Sequence, residues 1–265
     1  MKYAGVAGYP IEHSLSPLIH KAGYKAVGLD WNYEKYLLKA EELLDFVSSR
    51  DKDLVGLSLT MPLKEKAIEV SDVVTDMAKK VNSANTLIFK DGKIYSGNTD
   101  IYGIVQALKT NKKLDLSSPA IIGSGATARS AVFALKNLGA KSVMVCARNE
   151  STLNQVVDLA KALGLTSHLV GWNDLAKAMN ASTLISTLPS QAMDKYAALG
   201  PENPGTLLDI AYEPWPSKVA LEWIFRRGFV VSGLEMLLHQ ACMQFELMTG
   251  LKAPITQMRQ ALFKN

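Results

Sequence analysis

The stretch Ala120-Ile121-Ile122-Gly123-Ser124-Gly125-Ala126-Thr127-Ala128 constrains this chain more than any other part of it. A short apolar run ends in G-x-G-x-x-A, and Ala131, Val132, Ala134 and Leu135 follow at helical spacing. A strand, tight turn and helix in this order suit a dinucleotide, because a pyrophosphate must approach backbone amides at a helix N-terminus. Gly123 turns the chain, Gly125 removes a side chain from the approach, and Ala128 lets helix and sheet pack closely. Ser124, Ala126 and Thr127 complete the loop. Its surroundings repeat the unit: helical spacing over 101–108, 127–138 and 153–163 is interleaved with apolar runs at 120–123, 142–147, 184–187 and 206–210. This alternation predicts an α/β, Rossmann-like domain, a parallel sheet with helices on both faces.

The end of the next strand discriminates between cofactors. An acidic side chain there holds the ribose hydroxyls of NAD, whereas a cation suits the 2′-phosphate of NADP. The strand ends Ala147-Arg148-Asn149, and the forked guanidinium of Arg148 matches a phosphate, which predicts NADP. Glu150 follows directly and opposes that reading.

The first hundred residues have a different rhythm. Strands are expected at 3–8, 31–37 and 54–59, a helix from Ser16-Pro17, further helices over 39–49 and 63–70, and a hairpin around Asp91-Gly92. Leu237, Leu238, Ala241, Phe245 and Met248 mark a long helix over 234–249 that returns to the first half. The expected division is 1–100 plus 233–265 as a substrate domain and 101–232 as the dinucleotide domain.

Other features exclude classes of function. The net charge of +4 contains no block of like charges, so no nucleic-acid stripe is expected. No apolar run is long enough for a membrane span, and the N-terminus lacks a secretory leader. Cys146 and Cys242 read as reduced, buried thiols, so a cytoplasmic location is expected. His13, His20 and His239 have no partners at metal-ligand spacing, and no metal is expected; His20 reads as a structural hydrogen bonder.

Four polar stretches recur at strand ends: Ser14-Leu15-Ser16, Thr60 to Lys64, Asn82 to Thr86 and Gly97 to Asp100. Reducing a carbonyl with hydride leaves an alkoxide that must be protonated, so a donor must stand beside the oxygen. Lys64 and Asp100 have the right chemistry, although by residue type alone Lys64 also reads as a surface lysine and Asp100 as a helix cap.

The order Ser14-x-Ser16-Pro17-x-x-His20, Thr60-x-Pro62-x-Lys64, Asn82-Ser83-Ala84-Asn85-Thr86, Gly97-Asn98-Thr99-Asp100 resembles the shikimate dehydrogenase family. Asp209 to Pro214 and Gly233-x-x-Met236-Leu237-x-x-Gln240-Ala241 extend the resemblance over nearly the whole chain. It implies reversible reduction of 3-dehydroshikimate by NADPH in aromatic amino acid biosynthesis, without a metal, by a monomer or homodimer. It further implies that Ser14 and Ser16 bind the substrate carboxylate, with Tyr212 closing that end. Thr60, Asn85 and Gln240 would bind ring hydroxyls. Lys64 would donate or accept the proton, with Asp100 orienting it, and Gly233 would present its backbone to the nicotinamide. The chain departs from the family pattern in its phosphate loop, which lacks an extra Gly, and at Ser58, where Asn is common. It departs also at Thr152, where many members carry a second Arg. Quinate-preferring relatives tend to have Thr where Ser16 stands, so shikimate is favoured. The alternatives are a quinate/shikimate dehydrogenase of broader cofactor use and a nonenzymatic NADP-binding sensor, which would need neither Lys64 nor Asp100.

Overall fold

Runs of apolar residues too short for helices build two sheets. The computed structural model describes residues 1–263. In the first half β1 (Tyr3–Gly8), β2 (Asn32–Leu37), β3 (Leu54–Leu59), β4 (Val73–Val74), β5 (Thr86–Lys90) and β6 (Lys93–Gly97) form one mixed sheet, ordered β2-β1-β3-β5-β6-β4. β1 runs parallel to β2 and β3, whereas β5 is antiparallel to β3 and β6. Central β1 and β3 are covered on both faces and are almost continuously apolar, while edge β2 alternates between buried and accessible residues. Asp91 and Gly92 close the β5–β6 hairpin with φ of 51° and 74°, the two left-handed residues of a turn whose twist matches the strands.

Around this sheet lie α1 (Ser16–Ala26), α2 (Leu43–Ser48), α3 (Leu63–Glu69) and α4 (Asp76–Val81). Ser16 is already helical; Leu15 occupies the cap position, and Ser14 Oγ accepts from the Ser16 amide at 3.3 Å. The expected helix over 39–49 is a 3₁₀ turn at Ala40–Glu42 followed by α2. β4 and α4 have no apolar period to announce them; α4 begins where Thr75 Oγ1 accepts from the Ala78 amide.

The second sheet comprises β7 (Pro119–Ile122), β8 (Ser142–Cys146), β9 (Thr166–Val170), β10 (Thr183–Ser186), β11 (Thr206–Asp209) and β12 (Phe229–Ser232). All neighbours are parallel in the order β12-β11-β10-β7-β8-β9. The chain grows outward from β7 in one direction, then restarts at β10 in the other. Right-handed crossovers through such a reversal put helices on both faces and open a ligand crevice at the carboxyl ends beside β7. The helices are α5 (Asp100–Leu108), α6 (Ala126–Asn137), α7 (Glu150–Ala162), α8 (Leu175–Met179) and α9 (Lys218–Phe225), followed by α10 (Gly233–Thr249) and α11 (Ile255–Phe263). Edge strand β9 is largely polar or exposed, which is why no apolar run foretold it.

The chain divides into two compact units, Met1–Asp100 with the described residues from Leu237 onward, and Ile101–Met236. The second crossing falls inside α10, not at its start. Among the described residues no helix is long and apolar enough to cross a membrane.

In the first unit α1, β2 and α10 bring His20, Tyr24, Tyr33 and Phe245 together. The imidazole of His20 stacks on Tyr33 at 4.2 Å and 11°. The sequence suggested a structural hydrogen bonder, yet neither ring nitrogen has a well-formed hydrogen bond. Burial lowers its pKa to about 3, against a smaller opposing pull from Gln244. His20 is thus neutral when folded but takes a proton near 6.5 when unfolded, so the unfolded state binds more protons between those values. Stability from this residue is complete above pH 6.5 and is lost as pH falls toward 3. Going from pH 7.5 to 4.5 is expected to cost about 2 kcal/mol more in wild type than in His20→Phe. Urea unfolding of both proteins at both pH values measures this, and an equal pH dependence would refute it.

Candidate active site

The parallel strands β1 and β3 end side by side, and the polar residues of the first unit collect there. Thr60 follows β3, with its amide donating to Ala7 O at 2.9 Å, and Leu63 opens α3 one turn later. This brief strand-to-helix turn leaves Lys64 in the first turn of α3, only partly accessible. The Ala84 amide donates to Lys64 O at 2.8 Å, and the Leu59 amide to Asn85 O at 2.8 Å, drawing the 82–86 segment against the same strand end.

Lys64 and Asp100 meet in space. Lys64 Nζ lies 2.7 Å from Asp100 Oδ2, with side-chain exposures of 14% and 5%. Neither reading by residue type alone describes them: Lys64 is not a surface lysine, and Asp100 spends both oxygens on side chains. Asp100 Oδ1 accepts from Asn85 Nδ2 at 2.8 Å. Asn85 is itself fixed, because its Oδ1 accepts from the Thr99 amide at 2.7 Å, which determines which way the carboxamide faces. Asn85 Nδ2 also donates to Gln240 Oε1 at 3.3 Å, and Gln240 Nε2 to Leu237 O at 2.9 Å. Thr60, Lys64, Asn85, Asp100 and Gln240 therefore belong to one unit, as do Ser14 and Ser16 on the loop after β1 and the first turn of α1. The resemblance gave Asn85 a substrate hydroxyl; here its amide nitrogen is engaged by the carboxylate.

Behind Asn85 runs a buried relay that sequence reasoning missed. Tyr33 Oη and Ser58 Oγ are 2.5 Å apart, Ser58 donates to Gln244 Oε1 at 2.6 Å, and Gln244 Nε2 donates to Asn85 O and Thr86 Oγ1, each at 2.9 Å. Gln244 lies one helical turn beyond Gln240, so the spacing on α10 was the available signal. This buried network fixes the Asn85 backbone and the Thr86 hydroxyl, which in turn donates to Asn85 Oδ1 at 3.0 Å.

In the second unit the phosphate loop has the expected shape. The Gly123 amide donates to Cys146 O at 2.8 Å, and Gly123 has φ of 119°, where an added Cβ would strike Thr187 Oγ1. A Cβ at Gly125 would meet no atom within 4 Å, and no side-chain hydrogen bond caps the start of α6, so the backbone can be approached closely there. That cradle, with the positive end of a twelve-residue helix behind it, fits a pyrophosphate. Ser124 Oγ pairs with Thr152 Oγ1 at 2.7 Å. Ala126 and Thr127 begin α6, and buried Ala128 packs it on the sheet. Arg148 is exposed at the end of β8.

Tyr212 and Gly233 also lie in this unit. Tyr212 follows β11 on a segment tied by Asp209, which accepts from Ser217 Oγ at 2.7 Å and the Ala211 amide at 3.4 Å; burial raises the Tyr212 pKa. Gly233 opens α10 against Ile210, whose carbonyl leaves no room for a Cβ. Cys146 and Cys242 are free and buried. Among the described residues no three His, Cys, Asp or Glu side chains are grouped to hold a metal.

Residues 6–87 match a family model described as the shikimate dehydrogenase substrate binding domain, and residues 233–263 match the shikimate 5′-dehydrogenase C-terminal domain. The shikimate dehydrogenase (NADP(+)) of Methanothermobacter thermautotrophicus is 31% identical over 267 residues, covering 97% of this chain and 94% of that protein. Among solved structures, the Mycobacterium tuberculosis shikimate dehydrogenase is 39% identical, with a TM-score of 0.93 and full coverage of both chains. The Thermus thermophilus shikimate 5-dehydrogenase, solved with NADP(H) and shikimate, is 30% identical with a TM-score of 0.88, covering 100% of this chain and 99% of that one.

Proposed function

This chain belongs to the shikimate dehydrogenase family, and from that premise we propose that it catalyses the reversible NADP-dependent reduction of 3-dehydroshikimate to shikimate. The observation that carries the reading is the buried Lys64–Asp100 pair, its carboxylate steadied by Asn85. NADPH, when bound, supplies the hydride that reduces the ring carbonyl. Gly123 and Gly125, with the first-turn amides of α6, would hold its pyrophosphate, and Arg148 its 2′-phosphate.

Lys64 has the one task hydride addition leaves undone. As electrons move onto the carbonyl oxygen, the ammonium gives it a proton, and the resulting amine regains one from water. Asp100 keeps the ammonium aimed and accepts from a substrate hydroxyl. In the reverse direction the Lys64 amine removes the hydroxyl proton. Ser14 and Ser16 would anchor the carboxylate, assisted by Tyr212, with Thr60 and Gln240 on ring hydroxyls and Gly233 beside the nicotinamide. A sensor would gain nothing from burying an ion pair of this kind, since desolvating two charges costs several kcal/mol. Two buried, free thiols agree with the reducing cytoplasm, where we place its activity.

The test follows absorbance of the reduced nicotinamide while the protein is offered shikimate or quinate with NADP or NAD. Shikimate with NADP is expected to react fastest, by about tenfold or more over NAD, the worth of a charge-assisted phosphate contact. No reduction of either cofactor by shikimate would overturn the proposal. Faster turnover of quinate would transfer it to the other acid.

A further inference from the structure

Arg148 does not stand alone at the end of β8. Its guanidinium carbon lies 5.6 Å from the ring centroid of Trp172, the first residue of the turn after β9. Trp172 is itself braced: Nε1 donates to Tyr196 Oη at 3.0 Å, and the two rings meet edge to face at 5.3 Å and 82°. Lys195 Nζ lies 5.0 Å from the Tyr196 ring centroid. Two turns distant in sequence, 172–174 and 194–199, thus gather an aromatic pair and two cations at one strand end.

This arrangement contributes nothing to proton transfer, but it has the chemistry of an anion subsite. A guanidinium held within cation–π range of an indole is restrained, yet its N–H groups can still serve a phosphate. Charge balance points the same way. At position 152, where a second arginine is common, Thr152 is instead turned inward to Ser124 Oγ and its amide to Asn149 Oδ1. Thr152 therefore brings no charge to this strand end, and Lys195, beside the Tyr196 ring, is a second cation there. The Tyr196 hydroxyl registers the local field: its pKa is lowered, first by the hydrogen bond from Trp172 and further by Lys195 and Arg148.

We propose that Trp172, braced by Tyr196, is a positioning residue that holds Arg148 on the ribose 2′-phosphate, and that Lys195 supplies the second positive charge of this subsite. The inference rests on the NADP reading and adds residues to it. Calorimetric titration of the full chain with adenosine 2′,5′-bisphosphate, NADP and NAD tests it without any turnover. Trp172→Leu is expected to weaken the bisphosphate and NADP about tenfold, leaving NAD unchanged, with Trp172→Phe recovering most of the loss. Lys195→Ala is expected to weaken the same two ligands about fivefold and to flatten their salt dependence. Unchanged NAD affinity certifies that each variant is folded. A wild-type NADP-to-NAD ratio in Trp172→Leu overturns the positioning role, and the same ratio in Lys195→Ala overturns the second charge. Wild type that binds NADP no tighter than NAD overturns the cofactor reading itself, a result distinct from either.

Discussion

Lys64→Ala is expected to lower kcat about a thousandfold while KM for shikimate changes less than about threefold, the pattern of an interaction made only in the transition state. The expectation follows from geometry. Lys64 Nζ is already spent on Asp100 at 2.7 Å before any substrate arrives, so the ground state needs it little. A complication follows from the same burial, because removing the ammonium strands a carboxylate that is only 5% exposed. That is expected to cost about 3 kcal/mol of stability. Lys64→Ala with Asp100→Asn separates the two effects. Neutralising the stranded carboxylate should restore the urea midpoint without restoring turnover. If affinity fell and kcat survived, Lys64 would be a binding residue and the proton would come from elsewhere.

Gly123→Ala is expected to weaken NADP at least a hundredfold and to cost about 3 kcal/mol of stability, read by calorimetry and urea unfolding. Two separate obstacles meet at this residue. Its φ of 119° is closed to side chains, and the added methyl would strike Thr187 Oγ1. Thr187 cannot easily retreat, because its amide and hydroxyl both donate to Ile122 O, at 2.8 and 3.0 Å. Gly123→Ala with Thr187→Ala removes the collision but not the backbone strain, so it should recover only part of the loss. Full recovery would show that packing alone requires glycine here. Wild-type affinity in the single variant would mean that the pyrophosphate does not use this turn.

What could be read in advance depended on whether the physical signal was local. The β5–β6 hairpin was legible because Asp91-Gly92 carries its turn within two residues. The same holds for β7 and α6, where an apolar run, two glycines and helical spacing adjoin. β4 and β9 were not legible, because their short, exposed sequences take their conformation from the strand beside them. Trp172 and Tyr196 were unremarkable as separate residues, since each acquires meaning only from a partner 24 positions away.

The residue pattern by itself settled that a parallel α/β unit would carry a glycine turn, and it supplied a lysine and a carboxylate with suitable chemistry. It could not orient them. Whether Lys64 lies on the surface or against Asp100, and whether Asn85 turns its nitrogen or its oxygen to that carboxylate, depends on hydrogen bonds closed by Asp100, Thr99 and Thr86, with Ser58 and Gln244 fixing the backbone behind them. Those bonds span up to 186 positions of chain and form only when sheet and helix pack, since in water each group would be equally well satisfied by solvent.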